Sequence, residues 1–422
     1  MTWPPTIDDV SRLRAALAWI YECSPHYRRV LDAAGVEPGD IGAYDDFRRR
    51  VPRTDKSDLV EEQRARPPFG DFLAVPREEI ASLSTSPGPI YIPRLAAERG
   101  GSDALGASLR SMGVRGGDVA HVTLSYHVMP GGLRLHRAFE AAGCLVINGG
   151  TGATRLQVQL ARDYGATVYA GTPSFLAILG ATAREMGIDP RRELSYRVGF
   201  STAEPLGPAL RQELVSTFGI ELFDHCGEAQ IGPLAGECRV HDGMHLHATD
   251  LFVEFLDPES GEPAEPGGLG ELVATHLGPR ALPLVRYAPR DVFRLIGEPC
   301  ACGNPSLRVR FVGQRGAFRK IKGVLVHPAQ MRAALADFAE IGRFQIVVEP
   351  GEGRRYERAF LRAGLRELPL SPDDLKARIA AQLKATVLLT MDIEFVPERD
   401  IPESAGPPSF ASAIVDRRHG AH

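Results

Sequence analysis

Apolar residues recur at helical spacing over residues 8–35 (Val10, Leu13, Leu17, Ile20, Val30, Leu31) and the pattern breaks at Ser24-Pro25. Steps of three and four residues put such positions on one helix face, and proline cannot supply the amide that would carry a helix through it, so two helices are predicted. Between about residues 115 and 225 the texture changes. Short apolar runs (DVAHVTLSY, CLVIN, ATVYAG, YRVGFS, IELFDH) alternate with segments of helical period (GGLRLHRAFEAAG, ATRLQVQLARDYG, PSFLAILGATAREMG, PALRQELVSTFG). Strands covered on both faces read as such runs, and their alternation with helices predicts stacked β-α units with a mostly parallel sheet.

From about residue 250 two strand-like runs flank a Pro/Gly/Glu loop in LFVEFLDPESGEPAEPGGLGELVATHL, which predicts an antiparallel hairpin. After Gly323 the order is strand (VLVHP), helix (AQMRAALADF), strand (RFQIVVEP), strand (RRYERAFLRA), helix (SPDDLKARIAAQLKAT) and strand (MDIEFVPE). The expected fold is α/β: a large domain over residues 1–315 with a mostly parallel sheet and a β-rich subdomain, then a small α+β domain of βαββαβ layout over 316–402. Residues 403–422 lack periodicity and are rich in small residues and proline, so a flexible tail is expected there.

At 422 residues, 44% hydrophobic and 24% charged, the composition excludes a small module and wholesale disorder. A formal charge of -4 provides no basic field for a phosphate backbone, which argues against nucleic acid as a partner. No apolar run is long enough to span a membrane and the N-terminus lacks a signal-peptide layout, so a cytoplasmic protein is expected, and a homodimer is left open. Among 49 Lys plus Arg residues only Lys56, Lys320, Lys322, Lys376 and Lys384 are lysines. Cys300-Ala301-Cys302-Gly303 brings two thiols into one turn, and Cys238 is followed closely by His241, His245 and His247. Three cysteines and a histidine are the ligand chemistry of a structural zinc site.

Several segments then line up in order: SPHYRRVLDAAGV, RVPRTDKSDL, GTPSF, AEP, FGIELFDHCGEAQIGP, DPESGEPAEPGGLGELVATHL, PLVRYAPRD, PCACG and KIKGVLVHPAQM. Together they resemble the phenylacetate-CoA ligase family, a branch of the adenylate-forming enzymes. The resemblance implies a large α/β domain and a small mobile C-terminal one, with ATP activating a carboxylic acid and the acyl group passing to coenzyme A. It implies a small, aromatic carboxylic acid, a nucleotide and CoA as partners, and ATP/AMP and Mg²⁺ as cofactors. By the same resemblance Ser84, Thr85 and Ser86 belong to the phosphate loop, Ala203, Glu204 and Pro205 to the adenine segment, and Asp224 to the nucleotide site. Asp291 matches the ribose-binding aspartate and Arg315 the hinge arginine, displaced by one. Tyr126, Gly131 and Phe175 fall near the acyl pocket, and the family pattern selects His245 to complete the zinc set of Cys238, Cys300 and Cys302. His127 and His225 are the histidines considered for proton transfer, an unperturbed imidazole being suited to it.

The chain departs from the family at charged positions. In SLSTSPGP, Ser84 stands for the inner glycine, Pro87 for the next, and Gly88 for the lysine. Gln230 replaces the magnesium-holding glutamate, although Glu228 lies two residues away. The hinge reads Gly313-Gln314-Arg315-Gly316-Ala317 without its aspartate, and Pro402-Glu403-Ser404-Ala405-Gly406-Pro407 carries no adenylating lysine. Two function classes follow: an acyl- or aryl-CoA ligase with an altered ATP half-reaction, or a catalytically silent or repurposed relative. The latter would bind a nucleotide, acyl-CoA or a partner, or transfer an acyl group without adenylation.

Overall fold

The computed structural model describes residues 7–86, 90–96, 102–247, 249–315, 319–321, 324–326, 328–350, 357–367, 371–387, 389–405 and 413–417. The first two helices are Ile7–Cys23 and Pro25–Ala33; Pro25 takes a first-turn position, where its missing amide has no intrahelical partner to lose. Leu13, Leu17, Ile20 and Leu31 are fully buried on one face of this pair, as the spacing predicts.

Five parallel strands follow in the spatial order Leu145–Asn148, Val119–Val122, Val168–Gly171, Val198–Ser201 and Glu221–Glu228. The chain first steps outward from Val119–Val122 and then returns to its other side. Such a reversal opens a crevice beyond the carboxyl ends of the strands. Glu221–Glu228 also pairs antiparallel with Gly232–Glu237, which pairs with Met244–Leu246, so the sheet turns from parallel to antiparallel at that strand. The predicted hairpin is Leu251–Leu256 against Leu269–His276. A separate two-stranded ribbon, Ile80–Ser86 with Ile90–Leu95, was not anticipated.

Contacts divide the chain into two units: residues 1–206, 210–289 and 293–311, and residues 207–209, 290–292 and 312–422. The second unit has a sheet in the order Asp392–Pro397, Glu357–Leu365, Ile341–Pro350, Ile414–Asp416, with helices Pro328–Leu335 and Pro372–Thr386. Its core gathers Phe344, Ile346, Leu361, Ile379 and Leu383. The expectation of a flexible tail is corrected in part: Ile414–Asp416 pairs parallel with Ile346–Val348, and Ala413 is fully buried. A three-residue strand is too short to show periodicity, and its amides satisfy an otherwise open sheet edge. Residues 406–412 and 418–422 lie outside the described residues. Among the described helices none is long and apolar enough to cross a membrane.

His121 ties the strand Val119–Val122 to its neighbours. Its Nδ1 accepts from the Tyr196 hydroxyl at 2.6 Å and its Nε2 donates to Gln157 Oε1 at 2.9 Å, while the Gln157 amide donates to the carbonyls of Gly150 and Gly152. Burial lowers its pKa to about 4, with the Gln157 bond opposing. The unfolded chain therefore binds the proton first as pH falls, and stability declines from about pH 6.5 toward 4. Between pH 7 and 5 the His121 contribution should amount to about 2 kcal/mol. Denaturant unfolding at the two pH values should show that loss, and His121→Gln should shrink it; an unchanged pH dependence in the variant would refute the assignment.

Candidate active site

The helix Pro130–Ala141 begins directly beyond the end of strand Val119–Val122, with Met129 as its cap and Pro130 at its start. Gly132 makes this approach feasible, because a Cβ there would lie 2.3 Å from the Ser125 carbonyl oxygen. Gly227 does the same across the next turn, where a Cβ would stand 2.7 Å from the Gly232 carbonyl oxygen. Between these contacts is a cavity of about 310 Å³ at the carboxyl ends of the parallel strands. Leu105, Leu124, Leu135 and Phe200 form its apolar wall, and Ala203, His225 and Glu228 add to its rim. Ala203 has φ +67°, a left-handed conformation that costs a non-glycine residue of order 1 kcal/mol and is concentrated at functional sites.

Gly131 lines this cavity. Tyr126 and Phe175 are placed elsewhere: Tyr126 bonds to His136 Nδ1 at 3.2 Å, and Phe175 packs against the core around Leu176 and Leu179. His127 is exposed, and its amide donates to Ser125 Oγ at 3.2 Å. His225 faces the cavity, but burial, then the proximity of His247, lowers its pKa to about 3, leaving a neutral ring of little basicity. His225 Nε2, His247 Nε2 and Ser108 Oγ have no protein partner among the described residues, and all three groups surround Gly236.

Gln230 is buried beside the cavity. Its amide is oriented so that Nε2 donates to Glu228 at 2.6 Å and Oε1 accepts from Ser86 Oγ at 2.5 Å, since a carboxylate can only accept. Glu228 also meets Lys56 at 3.7 Å and accepts from the Tyr287 hydroxyl at 3.5 Å. Burial holds the Glu228 carboxyl above its ordinary range, against the Gln230 amide and the Lys56 charge. Ser84 and Thr85 lie with Ser86 on the ribbon strand Ile80–Ser86, whose Thr85 amide donates to the Val128 carbonyl at 2.7 Å. Pro87, Gly88 and Pro407 lie outside the described residues.

The remaining nucleotide candidates are dispersed. Glu204 is exposed and accepts from Ser174 Oγ at 2.9 Å and the Ser174 amide at 3.3 Å, at the start of helix Pro173–Glu185; Pro205 is exposed next to it. Asp224 lies in a polar cluster with Arg211, Glu237 and His241; burial, then Glu237, pushes its pKa up to about 7. Asp291 and Arg315 belong to the second unit, where Asp291 accepts from Gln314 Nε2 at 3.0 Å and the Arg315 amide donates to the Arg290 carbonyl at 2.6 Å.

The cysteine and histidine candidates do converge. Ligand atoms of Cys238, His245, Cys300 and Cys302 all lie within 4.8 Å of one another. Cys238 and Cys300 sulfurs are 3.7 Å apart and Cys302 Sγ is 3.3 Å from His245 Nε2. Sulfur ligands at about 2.3 Å from a tetrahedral ion would stand about 3.8 Å apart, so the spacing suits a metal and is far too long for a disulfide. His245 Nδ1 donates to the Ser306 carbonyl at 3.3 Å, which leaves Nε2 as the ligating nitrogen. His247 is directed instead toward Gly236.

Curated relatives named phenylacetate-coenzyme A ligase include those of Thermus thermophilus, 33% identical over 94% of this chain and 93% of the relative, and Escherichia coli, 32% identical over 94% and 91%. A relative of that name from Pseudomonas putida is 35% identical over 76% of this chain and 73% of its own. No family model matches the chain. The fold resembles an open conformation of 2-hydroxyisobutyryl-CoA ligase in complex with 2-HIB-AMP and CoA, with TM-score 0.84 and 24% identity over 97% of this chain and 90% of that one. Apo MatB from Rhodopseudomonas palustris is more distant, at TM-score 0.57 and 14% identity over 77% and 65%. These similarities agree with the α/β architecture expected from the alternation of strands and helices.

Gly132→Ala should force the helix start away from Ser125 and lower the unfolding free energy by about 1–3 kcal/mol. Gly131→Ala, which meets only Leu124 Cδ1 at 3.2 Å, should cost less. Equal losses in denaturant titration would contradict this account of the helix approach.

Proposed function

Because the chain belongs to the phenylacetate-CoA ligase family, we propose that it is an acid–CoA ligase for a small carboxylic acid with an apolar, aromatic body. The observation that carries this reading is the cavity of about 310 Å³ walled by Leu105, Leu124, Leu135 and Phe200 at the carboxyl ends of the parallel strands. Those side chains bury the acid's hydrocarbon part and leave its carboxylate at the polar rim. In the first half-reaction a carboxylate oxygen attacks the α-phosphorus of ATP and pyrophosphate departs. In the second the CoA thiolate attacks the acyl carbon and AMP departs. Ser84 and Thr85 contribute to phosphate binding and Ala203 to Pro205 to adenine binding, in keeping with the family resemblance.

Magnesium requires hard oxygen ligands, preferably anionic. Gln230 can offer only a neutral amide oxygen, whereas Glu228 presents a carboxylate among the residues lining the cavity. Glu228 is therefore the residue with the right chemistry to hold the ion, which would neutralise charge on the phosphates. The second reading, a catalytically silent relative, draws its support from the same Gln230, whose amide is committed to its neighbours.

Acid-dependent pyrophosphate release from ATP should separate the readings, with a panel of small aromatic and aliphatic acids and CoA omitted. Release by the native protein, reduced about 10²-fold or more by Glu228→Gln, is expected. No release with any acid, accompanied by thermal stabilisation by an acyl-CoA, would favour the silent relative.

We further infer that Cys238, His245, Cys300 and Cys302 hold a structural zinc ion. Metal analysis of protein purified without chelator should give close to one zinc per chain. Cys300→Ser with Cys302→Ser should abolish it and lower the melting temperature by several degrees; native protein without zinc would overturn the assignment.

A further inference from the structure

The antiparallel row His225, Gly236, His245 crosses the neighbouring strands Glu221–Glu228, Gly232–Glu237 and Met244–Leu246. Residues paired directly across strands project to the same face of a sheet, and so does a residue two positions further along. That residue is His247, whose amide prolongs the last strand by donating to the Leu234 carbonyl at 2.8 Å. One face therefore carries three imidazoles around a position that has no side chain. The helix Ser102–Ser111 packs against the strand Gly232–Glu237 and places the fully buried Ser108 over that position. A Cβ on Gly236 would stand 2.7 Å from Ser108 Oγ, 3.0 Å from His225 Cδ2 and 3.3 Å from His247 Nε2. His245 is taken up by the Ser306 carbonyl and the cysteine cluster. Ser108 Oγ, His225 Nε2 and His247 Nε2 are sealed from solvent and make no hydrogen bond among the described residues.

Buried polar atoms without a partner are costly, and three of them converging on one glycine point to a small polar guest between them. Water fits, because in a protein interior it makes about three hydrogen bonds and can donate or accept in each, which satisfies a hydroxyl and two neutral imidazoles together. A structural zinc ion does not fit: two neutral nitrogens and a serine hydroxyl provide neither four ligands nor an anionic one.

His225 also lines the cavity of about 310 Å³. Its Cδ2–Nε2 edge is turned to Gly236 and the Phe200 ring lies along its face, with centroids 4.6 Å apart at 32°. The Nδ1–Cε1 edge is the one left for the cavity, among the hydrocarbon side chains of Leu105, Leu124, Leu135 and Phe200. A neutral imidazole has one donor and one acceptor nitrogen, so Nδ1 takes whichever role the bond at Nε2 leaves it.

We propose that Ser108, His225 and His247 hold one buried water molecule at Gly236, and that His225, anchored by it, is a specificity-determining residue favouring an acid with a hydroxyl on its apolar body. The second step rests on the proposed use of the cavity as the acyl pocket. A hydroxyl donates and accepts, so it matches either tautomer of the ring. An unsubstituted acid leaves Nδ1 facing hydrocarbon and binds less well.

A high-resolution crystal structure of the native chain without added ligand tests the first step. One peak within about 2.7–3.2 Å of Ser108 Oγ and of both Nε2 atoms is expected, and its loss in Gly236→Ala. An empty site overturns the proposal, as does an ion with anomalous signal at about 2.0–2.1 Å from the nitrogens. The second step is read by calorimetry with benzoic and phenylacetic acid against their ortho-, meta- and para-hydroxy isomers. At least one isomer should bind about threefold or more tightly than its parent. His225→Leu should abolish that preference while the parent acid still binds. Ser108→Ala changes a residue outside the cavity lining and should reduce the preference by loosening the ring; it also serves as the structural variant, with the water lost or displaced, if Gly236→Ala does not fold. Failure of every acid to bind, no preferred isomer, or a preference that survives His225→Leu overturns the role of His225. A preference that depends on His225, without acid-dependent pyrophosphate release, upholds it and removes the ligase reading instead. Pyrophosphate release with no preference for any hydroxy acid overturns it and leaves the ligase reading standing.

Discussion

The contact between Gly132 and the Ser125 carbonyl sets the position of the helix Pro130–Ala141, and the candidate site depends on that position. A side chain at residue 132 would overlap the backbone oxygen, so the helix reaches the end of strand Val119–Val122 only because there is none. From that starting point the helical repeat distributes the roles. Gly131 and Leu135 line the larger cavity, Leu133 and Arg137 line a smaller one, and Arg134 borders both. A shift of the helix by a fraction of a turn would move all of them together, which is why backbone packing, and not a catalytic side chain, is the element on which the geometry rests.

The polar groups on the other side of the cavity have a different logic. Lys56, Glu228, Tyr287, Gln230 and Ser86 form a connected set in which every recorded bond pairs a donor with an acceptor. Breaking one member leaves a buried partner unsatisfied, at a cost of about 1–3 kcal/mol. Such a network holds Glu228 in place at the rim, and it explains why glutamine is tolerated at position 230: the amide joins both neighbours, whereas a second carboxylate there would face the first. Two buried carboxylates so close would raise one another's pKa.

Much of the fold was legible. Apolar runs of four to eight residues became the parallel strands, and helix Pro173–Glu185 starts where the GTP sequence provides a threonine cap and a first-turn proline. What escaped was the ribbon Ile80–Ser86 with Ile90–Leu95, and the strand Ile414–Asp416, because neither has enough alternation to stand out from a loop. The cluster of Cys238, His245, Cys300 and Cys302 was legible because thiols and imidazoles announce their chemistry and two of them share a turn. The cavity of about 310 Å³ was not: Leu105, Leu124 and Phe200 look in sequence like any core residue, while Tyr126 bonds to His136 and Phe175 takes the core-packing role that its helix position also allows. His225 was found by position, but only burial reveals how little basicity it retains.

The scarcity of lysine acquires a more specific meaning in this light. A count of five lysines reads as a general preference for arginine, and that preference alone would predict arginine at the phosphate loop, where Gly88 stands. Four arginines, Arg94, Arg134, Arg137 and Arg280, line one small cavity from positions spread over nearly two hundred residues that only the fold assembles.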